Sequence, residues 1–431
     1  QIIGITYILF SFFNLSLTTL YFAGDCTGGD FQAAQGCEFS PGLIESLFCQ
    51  GDTPLRTEGH NPVNNKISLA KEVAWASQNM PRTLRQVAAL PDLSGVRLAC
   101  CMHLDMKMIP LVQGILDKGA QVFLTTCNPT TVQDDVVAWL VERGAEACAW
   151  RNMSDADWQQ SWEKAIAWQP THLCEMGADI TTLLHQRGEF GNIVAGLEAT
   201  GSGVNRLGDI QPGYPIFNWD DLPVKEGLHN RHMVGLTACH TFFQTTHLTL
   251  HEKKVLVIGY GLVGQGVAAA AKAFGGQVMV AEIDPARRLQ AAYDGWHVVD
   301  LQEAIASADV VATATGGKNV VNRQALDRAK AGVFILNVGH VAEEIDGEYL
   351  RQYPQEEVMP YINAYRMADK TVYLMANGSM LNLTAGFGDS LNAFDVTLAV
   401  MASGIGHIVS DGMRAPAQVY LLPQAVWQQA L

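Results

Sequence analysis

The chain has 431 residues, 48% of them hydrophobic, with 28 basic against 43 acidic residues and a net charge of −15. That length accommodates two or three domains with sizeable cores, and an acidic balance without a basic run excludes nucleic-acid or anionic-membrane binding through bulk electrostatics. A small-molecule substrate is the expectation. Nine cysteines, odd in number and without a CxxC pair, argue against a disulfide framework and a thiolate zinc site, predict no metal, and fit a reducing cytoplasm.

Residues Gln1 to Ala23 carry no charge. The segment is long enough for a signal sequence or a membrane span, but it has no basic lead-in, is dotted with Ser, Thr and Asn, and does not begin with Met, so it reads as an extraneous or misassigned terminus. Residues 1–59 as a whole, with Cys26, Cys37 and Cys49, read as a poorly specified extension. The pattern Ile67, Ala70, Val73, Ala74, Ser77 predicts an amphipathic helix closed by Met80-Pro81. Apolar runs then alternate with helical stretches: Val96–Met102, a helix to Lys118, Gln121–Thr125, a helix over Thr131–Arg143, Ala147–Trp150, and a helix over Asp155–Trp168. Repeating βαβ predicts a parallel sheet covered by helices. Cys100-Cys101 beside His103 continue such a run and read as core cysteines. After His172–Glu175 and a helix near Ile180–His185, the Gly-rich and polar segment Ile193 to Asn218 reads as active-site loops. A helical connector is expected over Val224 to Thr249.

The next stretch organises the chain. Lys253 to Asp284 reads K-K-V-L-V-I-G-Y-G-L-V-G-Q-G-V-A-A-A-A-K-A-F-G-G-Q-V-M-V-A-E-I-D. A β-branched run leads directly into Gly259-x-Gly261-x-x-Gly264, then Leu262, Val263 and an Ala-rich helix, then a second apolar run that ends in Glu282. This is the dinucleotide fingerprint in its proper context: glycines for the turn, for close approach to the pyrophosphate and for helix packing, with phosphate at the helix N-terminus. Glu282 would accept from the ribose hydroxyls and repel a 2′-phosphate, favouring NAD over NADP, with Arg287 and Arg288 nearby pulling slightly the other way. Strands over Val310–Thr313, Val333–Asn337 and Val372–Met375 would complete the domain, and helices over Leu391–Ala402 and Gln424–Leu431 would pack back on the first. The expected fold is α/β with two Rossmann-like domains: a substrate domain over 60–230 plus 390–431 and a doubly wound, parallel-sheet NAD-binding domain over 231–389.

These segments together resemble the S-adenosylhomocysteine hydrolase family from about Asn61 onward. The resemblance is carried by G-Y-G-L-V-G-Q-G and E-I-D-P, Cys127-Asn128 with Gln133-Asp134, Asn337 to His340 with Glu344-Ile345-Asp346, and Asn382-Leu383. It implies tightly held NAD, oxidation of the substrate's 3′-hydroxyl, elimination of the 5′-thiol, addition of water and reduction back, a net thioether hydrolysis to adenosine or an analogue and homocysteine. Lys225 falls on the family's catalytic lysine, Asp134 on the aspartate near the 4′-carbon, His103 on the 5′-side histidine, and His340 on the histidine beside the nicotinamide. A gapless match puts Glu198 on the first of two family glutamates and Ala199 on the second. Thr200, Ser202, Asn230, Thr315, Gly339 and Asn382 are the implied further cofactor contacts.

Five positions depart from the family pattern. His229 stands where the family has an aspartate before Asn230, Val234 replaces a cysteine, Asp105 and Lys107 replace neutral contacts in the adenine pocket, and Asp389 replaces the gate histidine. The chain also stops at Leu431 before the tail that reaches a neighbouring subunit, so the expected homo-oligomer is a dimer or a weakened tetramer. Groups serving the redox chemistry persist while groups serving adenine recognition and gating do not. Three readings therefore stay open: a divergent hydrolase, an NAD-dependent dehydrogenase or lyase on another hydroxylated substrate, and a non-catalytic NAD-binding paralogue.

Overall fold

The computed structural model describes residues 68–431. The expected extension over 1–59 lies outside these residues. Two sheets dominate the rest. The first runs through β1 (Arg97–Cys101), β2 (Gln121–Thr125), β3 (Glu146–Ala147), β4 (His172–Glu175), β5 (Ala195–Glu198) and β6 (Ile216–Asn218), joined near the chain's end by β15 (Val419–Leu421). All its pairings are parallel, in the order β15-β6-β5-β4-β1-β2-β3.

The second sheet comprises β7 (Lys254–Ile258), β8 (Gln277–Ala281), β9 (His297–Val299), β10 (Val310–Thr313), β11 (Phe334–Asn337), β12 (Gln355–Met359), β13 (Ile362–Arg366) and β14 (Thr371–Met375). Its order is β12-β13-β14-β11-β10-β7-β8-β9, parallel except for the β12–β13 and β13–β14 pairings. Each sheet is doubly wound. Strand order reverses at β1/β4 in the first and at β7/β10 in the second, and the crevice outside the carboxyl ends at such a reversal is where ligands bind.

Several expected strands appear with their ends moved by a residue or two, because a β-branched run buried on both faces leaves little choice of conformation. The segment Ile193 to Asn218 is different: it holds β5, a helix over Gly201–Gly208 and β6 rather than loops alone. The four residues of β5, A-G-L-E, are all buried, so tertiary packing overrides their weak strand propensity. The expected connector helix also divides, into a π-helical segment over Lys225–Met233 and an α-helix over Val234–Thr246.

The first sheet has one continuous core, to which helix Leu391–Ile408 contributes Leu398, Val400, Met401, Ile405 and Ile408. That helix is long and apolar enough to cross a bilayer, but most of it is buried inside the protein. The second sheet carries a separate core on each face, one under helix Leu262–Ala273 and one with Leu326, Tyr349 and Leu350.

Helix Pro81–Ala89 shows how the chain's late segment locks onto its early one. Its own N-cap, Met80, offers no side-chain acceptor. Asp395, 1% exposed, supplies it from helix Leu391–Ile408: Arg82 N donates to Oδ2 (3.0 Å), Thr83 N to Oδ1 (2.7 Å), and Thr83 Oγ1 to the Asp395 carbonyl (3.1 Å). Removing the carboxylate would orphan two helix-end amides. Asp395→Ala is expected to cost about 2 kcal/mol and Asp395→Asn less, measured as a shift of the urea midpoint followed by circular dichroism. An unchanged midpoint for the alanine variant would show that this tertiary cap does not matter.

Candidate active site

The two switch-point crevices face a common cavity of about 380 Å³, within the range of small-molecule sites. From the first sheet it is lined by His103 after β1, Met176 after β4, Ala199 to Ser202 after β5, and Trp219 and Asp220 after β6. From the second come Val263, Ala314 to Gly316 after β10, and Val338 to Val341 after β11. The two chain crossings add Lys225, His229, Asn230 and Val234 on the outgoing one and Met380, Asn382, Leu383 and Asp389 on the return.

The dinucleotide turn has the geometry its sequence requires. Gly259 sits at φ +95°, where a Cβ would lie 2.6 Å from the Ala314 carbonyl oxygen, and a Cβ on Gly264 would lie 2.0 Å from the Gly259 oxygen. Only glycine fits either position. Helix Leu262–Ala273 begins at Gly261 and points its free amides at the turn. Glu282 ends the neighbouring strand and already accepts from Tyr260 N (2.6 Å) and Asp284 N (2.9 Å), which fixes its carboxylate beside the glycines. The Arg287 guanidinium reaches to 3.6 Å from where a Gly261 Cβ would be, within range of a bound phosphate.

The loop after β10 is held by Glu344, which is fully buried and accepts from Thr315 N (2.9 Å), Thr315 Oγ1 (2.7 Å) and Gly316 N (2.8 Å). Gly339 N donates to Asn337 Oδ1 (2.8 Å) in the loop that presents His340. Asn382 is 3% exposed and its Oδ1, on the cavity wall, has no partner. A glycine turn no Cβ could enter, a helix N-terminus, an acid after the second strand and an orphaned amide oxygen on the cavity-lining Asn382 fit a dinucleotide.

The π-helical segment explains how Lys225 and Asn230 meet. Residues five apart share a face only when the helix is widened to that period. The Lys225 ammonium donates to Asn230 Oδ1 (2.8 Å) and lies 3.4 Å from Asp220 Oδ1. Asp220 is positioned in turn by Asn218, whose Oδ1 accepts its backbone N–H (2.8 Å). Neither Trp219 nor Asp220 is signalled by any motif. The rule that ligands gather beyond strand ends would have flagged both, had β6 been recognised. The Trp219 indole N–H is buried without a partner.

Two of the three cavity histidines, His103 and His340, are shifted below the ordinary imidazole value. Burial and then the neighbouring His340 hold His103 down at about 4, while burial and the Arg206 guanidinium hold His340 below its ordinary value. The Thr131 hydroxyl donates to the Asn128 carbonyl (2.8 Å) and lies 2.9 Å from His103 Nδ1. The Cys127 Sγ lies 3.6 Å from the same Nδ1, so Nδ1 is the anchored ring nitrogen and Nε2 the one with no protein hydrogen bond among the described residues.

Two expected site residues stand elsewhere. Asp134 does not line the cavity: it is exposed at the start of helix Asp134–Val141, where its Oδ1 accepts Arg151 N (2.8 Å). Arg151 itself reaches to the Thr384 carbonyl (3.1 Å) and the Tyr361 hydroxyl (3.3 Å), so Asp134 anchors a strap between the two halves. Glu198 lies beneath the floor. Gly177 N, Ala178 N, Thr200 N and Thr200 Oγ1 all donate to its carboxylate at 2.8–2.9 Å, and it fills the space under Gly203. Its consumed oxygens, turned from the cavity, hold Thr200, which caps helix Gly201–Gly208 and contacts Ser202 Oγ (3.1 Å).

Glu198 sits directly across from Glu175 on β4. Burial and the Glu175 charge push Glu198 up to about 8, against the hydrogen bonds from Thr200 and Gly177, and burial pushes Glu175 up to about 7. A carboxyl raised on folding binds its proton more tightly in the folded state, so its contribution is greatest at low pH. The Glu198 contribution is lost as pH rises from its ordinary 4.5 through about 8. Stability of the parent chain should therefore fall between pH 5 and 9 more steeply than that of Glu198→Gln in paired denaturant titrations, and parallel pH profiles would refute the assignment.

The remaining expected residues meet at the far end of the cavity. Lys107 pairs with Asp105 (2.9 Å) and His229 Nε2 with Asp389 Oδ2 (3.1 Å). Burial alone would raise the Asp389 carboxyl, but His229, Lys107 and Lys225 outweigh it and hold it below its ordinary value.

Comparison with known proteins agrees with this architecture. Residues 64–205 match the family model described as S-adenosyl-L-homocysteine hydrolase, and residues 237–388 match its NAD binding domain. The S-inosyl-L-homocysteine hydrolase of Methanopyrus kandleri is 31% identical over 369 residues, covering 82% of this chain and 87% of that protein. The adenosylhomocysteinase of Aeropyrum pernix is 32% identical, with 82% and 89% covered, and that of Thermococcus kodakarensis is 33% identical, with 84% and 89% covered.

Proposed function

The chain belongs to the S-adenosyl-L-homocysteine hydrolase family and is an NAD-dependent hydrolase, and from that premise we propose that it cleaves a nucleoside thioether to the free nucleoside and homocysteine. The observation that carries the reading is one cavity in which Lys225, fixed by Asn230 and Asp220, faces the same space as His340 and the dinucleotide loops.

Bound NAD would supply a reversible hydride acceptor for the ribose 3′-position, and the ketone so made would acidify the 4′-hydrogen. Lys225, fixed between Asn230 and Asp220, is placed to take up the 3′-hydroxyl proton in its neutral amine form. His340, neutral and presented by the loop after β11, hydrogen-bonds the same region. His103, anchored through Nδ1 to Thr131 and Cys127, presents Nε2 as the site that exchanges protons on the 5′ side, giving one to the departing sulfur from its protonated form and taking one from the incoming water. Asp134 has no part in this scheme, because its carboxylate holds the Arg151 backbone. The acidic composition and scattered cysteines support a cytoplasmic enzyme, and we take the working form to be a homo-oligomer.

The test is to incubate the purified, NAD-loaded protein with S-inosylhomocysteine and S-adenosylhomocysteine, following free thiol and NADH absorbance together. Thiol release with only transient NADH is expected. Lys225→Ala should lower it by about 10²–10⁴-fold without releasing NAD. Accumulating NADH with no thiol would indicate a dehydrogenase instead.

A further inference from the structure

Resting on the reading above, the far end of the cavity specifies which nucleoside base it accepts. Its polar capacity can be counted. The Lys107 ammonium, 1% exposed, has three N–H groups. One goes to the Phe387 carbonyl (2.6 Å) and one to Asp105 Oδ2 (2.9 Å), while Asp105 Oδ1 is taken by Lys107 N (2.9 Å). Asp389 Oδ2 is paired with His229 Nε2 (3.1 Å), and His229 Nδ1 lies against Thr397 Oγ1 (3.3 Å).

Two charged valences are left over. Lys107 keeps its third N–H, and Asp389 Oδ1 is buried with no partner although the residue is 3% exposed and lines the cavity. Lys107 Nζ lies 3.3 Å from where a Gly388 Cβ would be, so the donor stands beside the residue next to the free acceptor. The Phe394 ring, 5.7 Å from the His229 ring and 5.8 Å from Lys107 Nζ, gives this end of the wall a flat apolar face. A ligand that fits is planar and offers one acceptor and one donor on adjoining atoms.

We propose that Lys107 and Asp389 read a lactam edge, a carbonyl oxygen beside a ring N–H, and so select a 6-oxopurine nucleoside thioether over the 6-aminopurine one. The lactam oxygen meets the ammonium and its single N–H meets the carboxylate, both as charge-assisted hydrogen bonds. An aminopurine can also present a donor beside an acceptor, but its amino group carries two N–H bonds and only one carboxylate oxygen is free. Its second N–H would find no free carboxylate oxygen at this end, since both oxygens of Asp105 and the second of Asp389 are already paired. A buried N–H without a partner is costlier than a carbonyl lone pair left idle.

The experiment compares inosine and adenosine binding to the NAD-loaded full chain by calorimetry, alongside thiol release from the two thioethers. Inosine is expected to bind at least about tenfold tighter, with kcat/KM favouring the oxopurine thioether by a similar ratio. The near-isosteric Asp389→Asn should narrow that preference to within about threefold, and Lys107→Met should do the same where it folds. Equal or tighter binding of adenosine overturns the inference and leaves the hydrolase reading standing. Failure of both thioethers to release thiol overturns the hydrolase reading, while the nucleoside binding ratio still decides the base.

Discussion

A parallel sheet whose strand order reverses between two neighbours leaves a crevice at its carboxyl edge, and nothing in the sheet itself can fill it. This chain builds that crevice twice, at β1/β4 and at β7/β10, and sets both around one cavity. Every group that matters follows from that constraint. His103, Ala199 to Ser202 and Asp220 lie just beyond the ends of first-sheet strands, and Thr315 and His340 just beyond the ends of second-sheet strands. The groups that do not sit past a strand end, Lys225, His229 and Asn230, ride on the segment that leads from one sheet to the other.

Electrostatics in the cavity are arranged by pairing rather than by exposure. Isolated buried charges are costly, and here Lys107 is set against Asp105, Lys225 against Asp220, and His229 against Asp389. Beneath the floor the opposite solution holds: Glu175 and Glu198, side by side without a cation between them, shift toward their protonated forms and spend their oxygens on the turns that shape the wall. The same chemical group thus serves as a ligand contact in one place and as scaffold in another, and burial together with the nearest charge decides which.

How much of this could be read beforehand depended on the range of the interaction. Runs such as Val255 to Ile258 announce a buried strand from local composition, and the glycines after it leave one conformation open, so the dinucleotide half was legible. The stretch Ile193 to Asn218 was not: its strands are three and four residues long and are made by the neighbours they pair with. The meeting of Lys225 with Asn230 needs a period of five, which a search for 3.6 passes over. Glu198 matched a family position yet faces inward, because orientation at a strand end is set by the amides of Gly177 and Ala178, far away in sequence. His229 and Asp389 each looked like a lost family residue when taken alone, whereas together they are partners across the two crossings.

That contact also has a mechanical side. It joins the outgoing crossing at His229 to the return crossing at Asp389, and Lys107 ties the return crossing to the first sheet through the Phe387 carbonyl. The two strands of chain that connect the halves are thereby fused into a single axle, and several of the groups facing the cavity are mounted on it. A molecule bound there would touch both connecting strands at once, so contacts at the substrate's far end bear on the linkage between the halves as well as on the choice of base.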